Sequence, residues 1–314
     1  MLRYLLRRAA QALVVLVGAA VLVFALLHIV PGDPIRSAMG TRFNPEVYAQ
    51  LRAASGLDLP LHEQLFRYLT HAATGDFGVS FRSGESVFDI VMSRMPATIS
   101  LAAAALVVAL LISFPLGILS AIRRGTLVDH FARIGSQIGI SVPDFWLGIL
   151  LILILTSWLH LLPPSGYVPV TEDPYEWLRH VIMPALTVGL ISGSILTRFI
   201  RSATLESNSQ DFARTARAKG LRESTVLRDH VLRNAMIPIV TVAGIQLASL
   251  LGGVIVVEVV FAWPGLGRLT YDSVLARDYP VVQGAVLLVA FIFLVSTLVV
   301  DALYAVIDPR IRVR

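Results

Sequence analysis

Residues 101–112 read LAAAALVVALLI, twelve positions without a single polar side chain. A helix on a soluble core shows one apolar stripe and one polar face. A helix apolar all round is buried or lies in lipid. The charge-free run extends from Ala97 to Ile122, longer than the roughly 20 residues needed to cross the hydrocarbon layer. Five further windows share this character: 9–30, 135–160, 181–197, 237–257 and 281–305. All six together hold only two charges, Asp144 and Asp301. Lipid offers no partner to a backbone N–H or C=O, so each window is expected to be helical. The 181–197 window is the shortest. Arg198 and Arg201 follow it, and their stems are expected to lie along the helix end while their charges reach the headgroups. The sequence therefore predicts an all-α polytopic membrane protein with six transmembrane helices.

Composition agrees. The chain has 314 residues, 56% hydrophobic and 15% charged, against about 25% charged in soluble domains. The deficit sits in the windows, while the chain between them carries an ordinary density of charge. A single soluble core is excluded, and the absence of cysteine excludes a disulfide scaffold. The run from Ala9 to Val30 exceeds a signal-peptide core and lacks a following Ala-x-Ala pattern. It is read as a retained first helix stopped by Pro31-Gly32-Asp33-Pro34.

Basic residues orient the chain. With both termini in the cytoplasm, 17 of the 26 fall inside: Arg3, Arg7 and Arg8, Arg123, Arg124 and Arg133, eight in the 198–236 loop, and Arg310, Arg312 and Arg314 in the tail. Nine fall outside, six of them in a 31–96 loop long enough to weaken the rule. The net charge of +5 is thus a signature of membrane orientation, and no nucleic-acid partner is expected.

Among the outer loops, 31–96 is long enough for structure of its own. Asn44–Leu57 and Leu61–Thr74 have the periodicity of short surface helices, followed by a glycine-rich turn at 75–80. This loop receives a delivery protein, covers a pore mouth, or packs on the outer ends of the spans. Pro163, Pro164 and Gly166 make 161–180 a rigid irregular connection. Glu258-Val-Val-Phe261-Ala-Trp263-Pro264-Gly265 follows the fifth window, which places Glu258 near the outer end of a span. An acid there either faces a pathway or serves structure. Glu258, Phe261, Pro264 and Gly265 are the candidate pathway or gate residues.

The 198–236 loop is the most informative. Asp211 through Lys219 reads as a short helix, with Ser209 as N-cap and Gly220 as C-terminal stop. Asp211 suits its positive end, Arg217 and Lys219 its negative end. Phe212 and Ala216, four apart, are expected to present one exposed face. A second helical pattern over 222–234 aligns Leu227 with Val231. A helix, a glycine bend and a second helix at the membrane surface make either a lever that docks in a partner's groove or an element lying on anionic lipid.

DFARTARAKG at 211–220 and HVLRNAMIP at 230–238 resemble the cytoplasmic loop of binding-protein-dependent ABC transporter permeases. The chain as a whole is similar to the first permease subunit of the dipeptide/oligopeptide/nickel subfamily. Supporting stretches are MLRYLLRR at 1–8, FALLHIVPGDP at 24–34, GDFGVSF at 75–81, RMPAT at 94–98, SVPDFW at 141–146, VVFAWPGLGRL at 259–269, RDYPVVQG at 277–284 and DPRIR at 308–312. The resemblance implies a type I ABC importer permease fold in a bacterial cytoplasmic membrane. Residues 1–96 form a first helix with its outer loop. Residues 97–314 form a five-helix transmembrane domain containing the coupling loop. It implies a coupling helix at about 207–220 that docks between ATPase lobes, with Asp211, Phe212, Ala213, Arg214, Ala216, Arg217, Lys219 and Gly220 as its coupling residues. Of these, Arg214, Arg217 and Lys219 are expected on the rim. The implied partners are a second permease subunit, two ABC ATPases, an extracytoplasmic substrate-binding protein and membrane lipid.

No glycine-rich Lys-Ser/Thr phosphate loop occurs, so ATP and its magnesium are expected to belong to the partner ATPases. This chain is expected to be non-catalytic, with no cofactor or metal. His-Glu-x-x-His is absent, and His28, His160 and His180 read as interfacial, which argues against an intramembrane enzyme. The expected cargo is a di- or oligopeptide. Nickel or another small solute is the alternative, and an ATP-independent secondary transporter would leave the coupling loop unexplained.

Overall fold

The computed structural model describes residues 2–29, 31–40, 43–252 and 254–307. The side chains of Arg3 and Asp301, the arginines of the tail and the 308–312 motif lie outside the described residues. All regular elements among those described are helical, apart from one isolated bridge between Val79 and Ser86. Five helices are long and apolar enough to cross a membrane: Arg7–Ile29, Val87–Ile122, Pro174–Ser209, Glu223–Leu251 and Tyr279–Val300. The bent pair Leu127–Ser141 and Asp144–Trp158 makes a sixth if counted as one span.

The pair revises the expectation for 135–160. A 101° bend separates α6 (Leu127–Ser141) from α7 (Asp144–Leu151) and the wide π turn, Ile152–Trp158, that prolongs it. Pro143 lacks an N–H and disfavours helical geometry at Val142, which is extended at φ −80°, ψ 127°. The short 181–197 window proves to be the middle of α8 (Pro174–Ser209). Polar ends had hidden its length. Asp173 caps it, its Oδ1 accepting from Tyr175 N at 2.9 Å and Glu176 N at 3.1 Å.

The chain divides into two compact units. One holds residues 100–250 together with 295–307. Within it α5 (Val87–Ile122), α8 and α11 (Arg233–Leu251) meet in a core of Ala109, Leu196, Ile200, Ala235 and Ile239. Small residues allow the close approach common between membrane helices. A Cβ on Gly117 would lie 2.7 Å from Ile200, and one on Gly189 2.6 Å from Val108.

The other unit holds residues 2–99 and 251–294. Its first helix, α1 (Leu2–Ile29), buries little of itself and leaves Val14, Leu22, Leu26 and Ile29 exposed, as a lipid-facing helix does. The two helices expected in the 31–96 loop form where the periodicity placed them. In α3 (Pro45–Ser55), Asn44 accepts from Glu46 N at 2.9 Å as N-cap, and α4 spans Leu61–Thr74. A short α2 (Pro34–Met39) precedes them. Asp33 gathers this segment: it accepts from Arg36 N at 3.0 Å, from the Tyr48 hydroxyl, and from Arg52 Nη1 at 3.0 Å. The first part of α14 (Tyr279–Ile307) packs Val281 and Ala285 against Val87, Val91 and Leu266.

Candidate functional site

The loop between α8 and α11 begins where α8 ends. Ser209 is the last residue of that helix, its hydroxyl donating back to Glu206 O at 2.8 Å, so it is not the N-cap predicted for the next. Gln210 is extended (φ −71°, ψ 156°), and α9 runs Asp211–Ala218 without a side-chain cap. Gly220 stops it as expected. At φ +78° it occupies the left-handed region that costs other residues about 1–2 kcal/mol. Its N–H reaches Arg217 O at 2.9 Å, while Leu221 N reaches Ala216 O at 3.3 Å, which satisfies carbonyls that the helix end leaves open.

The return path differs from a separate second helix. Three helical residues, α10 (Glu223–Thr225), lead into a π segment, Val226–Leu232, and then directly into α11. The wide turn brings Val226, Leu227 and Val231 against α9, where they enclose Ala213 and Ala216. The expected exposed Phe212/Ala216 face is therefore split. Phe212 is 37% exposed, while Ala216 is buried inside the loop. Four residues turn a helix by about 40° beyond a full circle, enough to separate the two at the edge of a buried stripe.

The charges divide in the same way. Asp211 and Arg214 point outward, 97% and 74% exposed, and approach each other at 3.7 Å; Lys219 is also exposed. Arg217 works within the loop. Its Nε and Nη2 donate to Glu223 at 2.9 and 2.7 Å, and Nη2 and Nη1 donate to Asn208 Oδ1 and O. The bound Glu223 carboxylate raises the guanidinium pKa above its ordinary value. Arg217 thus clamps the approach of the loop to its departure. Ser207 does so a turn earlier, its hydroxyl donating to Val231 O at 2.8 Å.

The Glu258 segment is a separate construction. The fifth span ends at Leu251, so Glu258 lies on a short helix of its own, α12 (Ile255–Val260), and not on the end of the span. Its side chain is fully buried and is held by hydrogen-bond donors: Thr98 Oγ1 at 3.0 Å, Arg268 N at 2.9 Å and Gly267 N. Thr98 Oγ1 in turn accepts from Leu266 N at 2.8 Å. Trp263, also fully buried, donates from Nε1 to Ala97 O at 2.8 Å. Phe261 is buried, Pro264 half-buried, and Gly265 closes on the carboxylate. The four candidate gate residues form one packed turn anchored to residues 97–98.

Sequence reasoning missed two buried acids. Asp278 accepts from Ser80 Oγ and from Phe81 N at 3.0 Å, pinning the glycine-rich turn. Asp129, only 1% exposed, takes Arg201 in a two-pronged contact, Nε at 2.7 Å and Nη2 at 2.9 Å. Arg201 was expected to reach headgroups and instead turns inward, whereas Arg198 is exposed. The available signal was a lone acid among the basic residues of the 123–133 connection. Among the described residues, no cluster of three or more His, Asp or Glu is placed to hold a metal.

This is a multi-pass helical membrane protein. Residues 113–313 match the family described as "Binding-protein-dependent transport system inner membrane component", and residues 1–102 match its N-terminal counterpart. The chain belongs to this family. It is similar to the glutathione transport system permease protein GsiC of Salmonella paratyphi A, 45% identical over 312 residues and 99% of each chain. It is also similar to the dipeptide transport system permease protein DppB of Escherichia coli K12, 40% identical over 336 aligned positions and 99% of each. A solved inward-facing MetNI methionine ABC transporter shares the fold over 70% of this chain and 96% of that one, at a TM-score of 0.56 and 18% identity.

Proposed function

We propose that this chain is the permease subunit of an ATP-driven importer that carries short peptides across a bacterial inner membrane. It would form half of the pathway beside a second permease. Membership of the family supports the transport role and its dependence on a binding protein and ATPases. The observation that carries the coupling role is the cytoplasmic loop: a helix sealed onto its own alanines, presenting Asp211, Phe212, Arg214 and Lys219 outward. In this reading both termini are cytoplasmic and α9 seats in an ATPase groove. ATP-driven closure of the ATPases pushes the helix and turns the pathway outward, and hydrolysis resets it. The substrate must favour one state over the other for transport to be driven. The turn from Glu258 to Gly267 is read as a gate element, with Glu258 holding its shape.

Peptide is preferred as cargo because the dipeptide and glutathione systems both transport short peptides. The decisive experiment is reconstitution of the complete complex in proteoliposomes with its binding protein. ATP hydrolysis stimulated by loaded binding protein, with matching uptake of labelled di- or tripeptide, is the expected result. Stimulation by nickel alone would overturn the peptide assignment, and uptake without ATP would overturn the importer mechanism.

A further inference from the structure

We infer that Asp129 and Arg201 are positioning residues of the transport cycle: their ion pair makes the α5–α6 turn follow movement of α8 and the helix attached to it. This rests on the coupling role proposed above. Three pieces of chain converge on one carboxylate. Ser120, near the end of α5, donates its hydroxyl to Asp129 Oδ1 at 2.6 Å. Gly125, in the turn between α5 and α6, donates its N–H to Oδ2 at 3.0 Å. Arg201 of α8 supplies the two-pronged contact and a further Nε contact to Ser120 Oγ at 3.0 Å. Asp129 itself stands in the first turn of α6.

The position of Arg201 gives the pair its mechanical meaning. It lies eight residues before Ser209, where α8 ends, about 12 Å at 1.5 Å per residue, so displacement of α9, joined to that end by Gln210 alone, reaches it along one unbroken stretch of helix. The remaining contacts between α8 and α5 around Ala109, Leu196 and Ile200 are apolar. Packed apolar helices slide past one another in shear motions. A planar guanidinium held by two parallel bonds resists both sliding and rotation. α8 also packs along α6, with Gly139 against Ser194, so without the pair the α5–α6 turn would follow α8 through helix packing alone and with looser register.

Lysine keeps the charge of Arg201 but lacks the fork. Arg201→Lys is therefore expected to assemble in wild-type yield with wild-type basal hydrolysis, and Asp129→Asn, which leaves the guanidinium without its anion, in reduced yield with wild-type basal hydrolysis per assembled complex. Both should raise the ATP consumed per substrate imported by about fivefold or more, the lower range of an allosteric coupling. The chain has no cysteine, which permits a second test. Asp129→Cys/Arg201→Cys should be uncoupled when reduced and recover when a short bifunctional thiol reagent bridges the pair. A wild-type ratio in all three variants, or a bridged variant that stays uncoupled, overturns the inference. So does loss of assembly that the bridge repairs without repairing the ratio. A wild-type complex lacking substrate-stimulated hydrolysis would instead sink the importer reading, and this inference with it.

Discussion

A Cβ on Gly265 would lie 2.1 Å from Oε1 of Glu258, so the missing side chain of one residue is the space occupied by the carboxylate of the other. Gly265→Ala is expected to expel Glu258 from the turn. The donors it leaves, Thr98 Oγ1 and Arg268 N, are buried or partly buried, and each stranded donor costs about 1–3 kcal/mol. Thermal unfolding in detergent should show a clear drop in Tm. Glu258→Gln, which keeps the shape and one acceptor oxygen, should lose less than Glu258→Ala. Equal Tm values for all three variants and the wild type would refute this account.

Gly220 makes a different demand. No atom lies within 4 Å of a Cβ built there, so the obstacle is backbone conformation and not space. Asparagine tolerates the left-handed region and valine does not. Gly220→Asn should stay close to wild type, whereas Gly220→Val and Gly220→Trp should insert normally but lose stimulated hydrolysis and uptake together. Full activity in Gly220→Val would remove the bend from the mechanism.

The two faces of α9 predict opposite phenotypes. Ala216→Leu overpacks the pocket made with Val226 and Val231 and should destabilise by about 1–3 kcal/mol, visible as faster proteolysis of the loop. Phe212→Ala should leave proteolysis unchanged and weaken binding to the ATPase subunits. The comparison fails if Phe212→Ala unfolds the loop.

Asp33 gives a pH dependence. Its partial burial raises the carboxyl pKa, but the Arg36 N–H, the Tyr48 hydroxyl and Arg52 outweigh this and hold it below the usual range. With its folded value under the unfolded value of about 4, Asp33 stabilises the outer segment at all higher pH. That contribution fades as pH falls through the folded value. Amide protection factors in Pro34–Ser55, corrected for the intrinsic pH dependence of exchange, should therefore fall on acidification below pH about 4 in the wild type. In Asp33→Asn they should be low throughout; an unchanged profile would contradict the assignment.

What the sequence disclosed, and what it withheld, follows from range. Windows free of charge reveal spans because lipid acts on each residue locally. Gly220 announces its stop because φ is a local property, whereas the bend at Pro143 was hidden inside an apolar window read as one span. The 36-residue length of α8 was masked because its ends leave the apolar layer while the helix continues. The Glu258 and Thr98 contact joins residues 160 apart, and Arg201 and Asp129 are separated by 72. One chain offers no periodicity that links such positions. The same holds for Ala216, whose burial depends on a π turn that no short-range pattern in 226–232 signals.

The alanines that seal α9 onto Val226 and Val231 separate two tasks often merged in a docking helix. Folding of the loop draws on Ala213, Ala216 and the Arg217 clamp, all turned inward, and so does not need the partner's surface. In the proposed coupling role, recognition would be left to the exposed Asp211, Phe212, Arg214 and Lys219. A lineage can therefore exchange the outward residues to follow a changing motor subunit while the lever keeps its shape, and an engineered graft of those four positions should retarget the loop without refolding it.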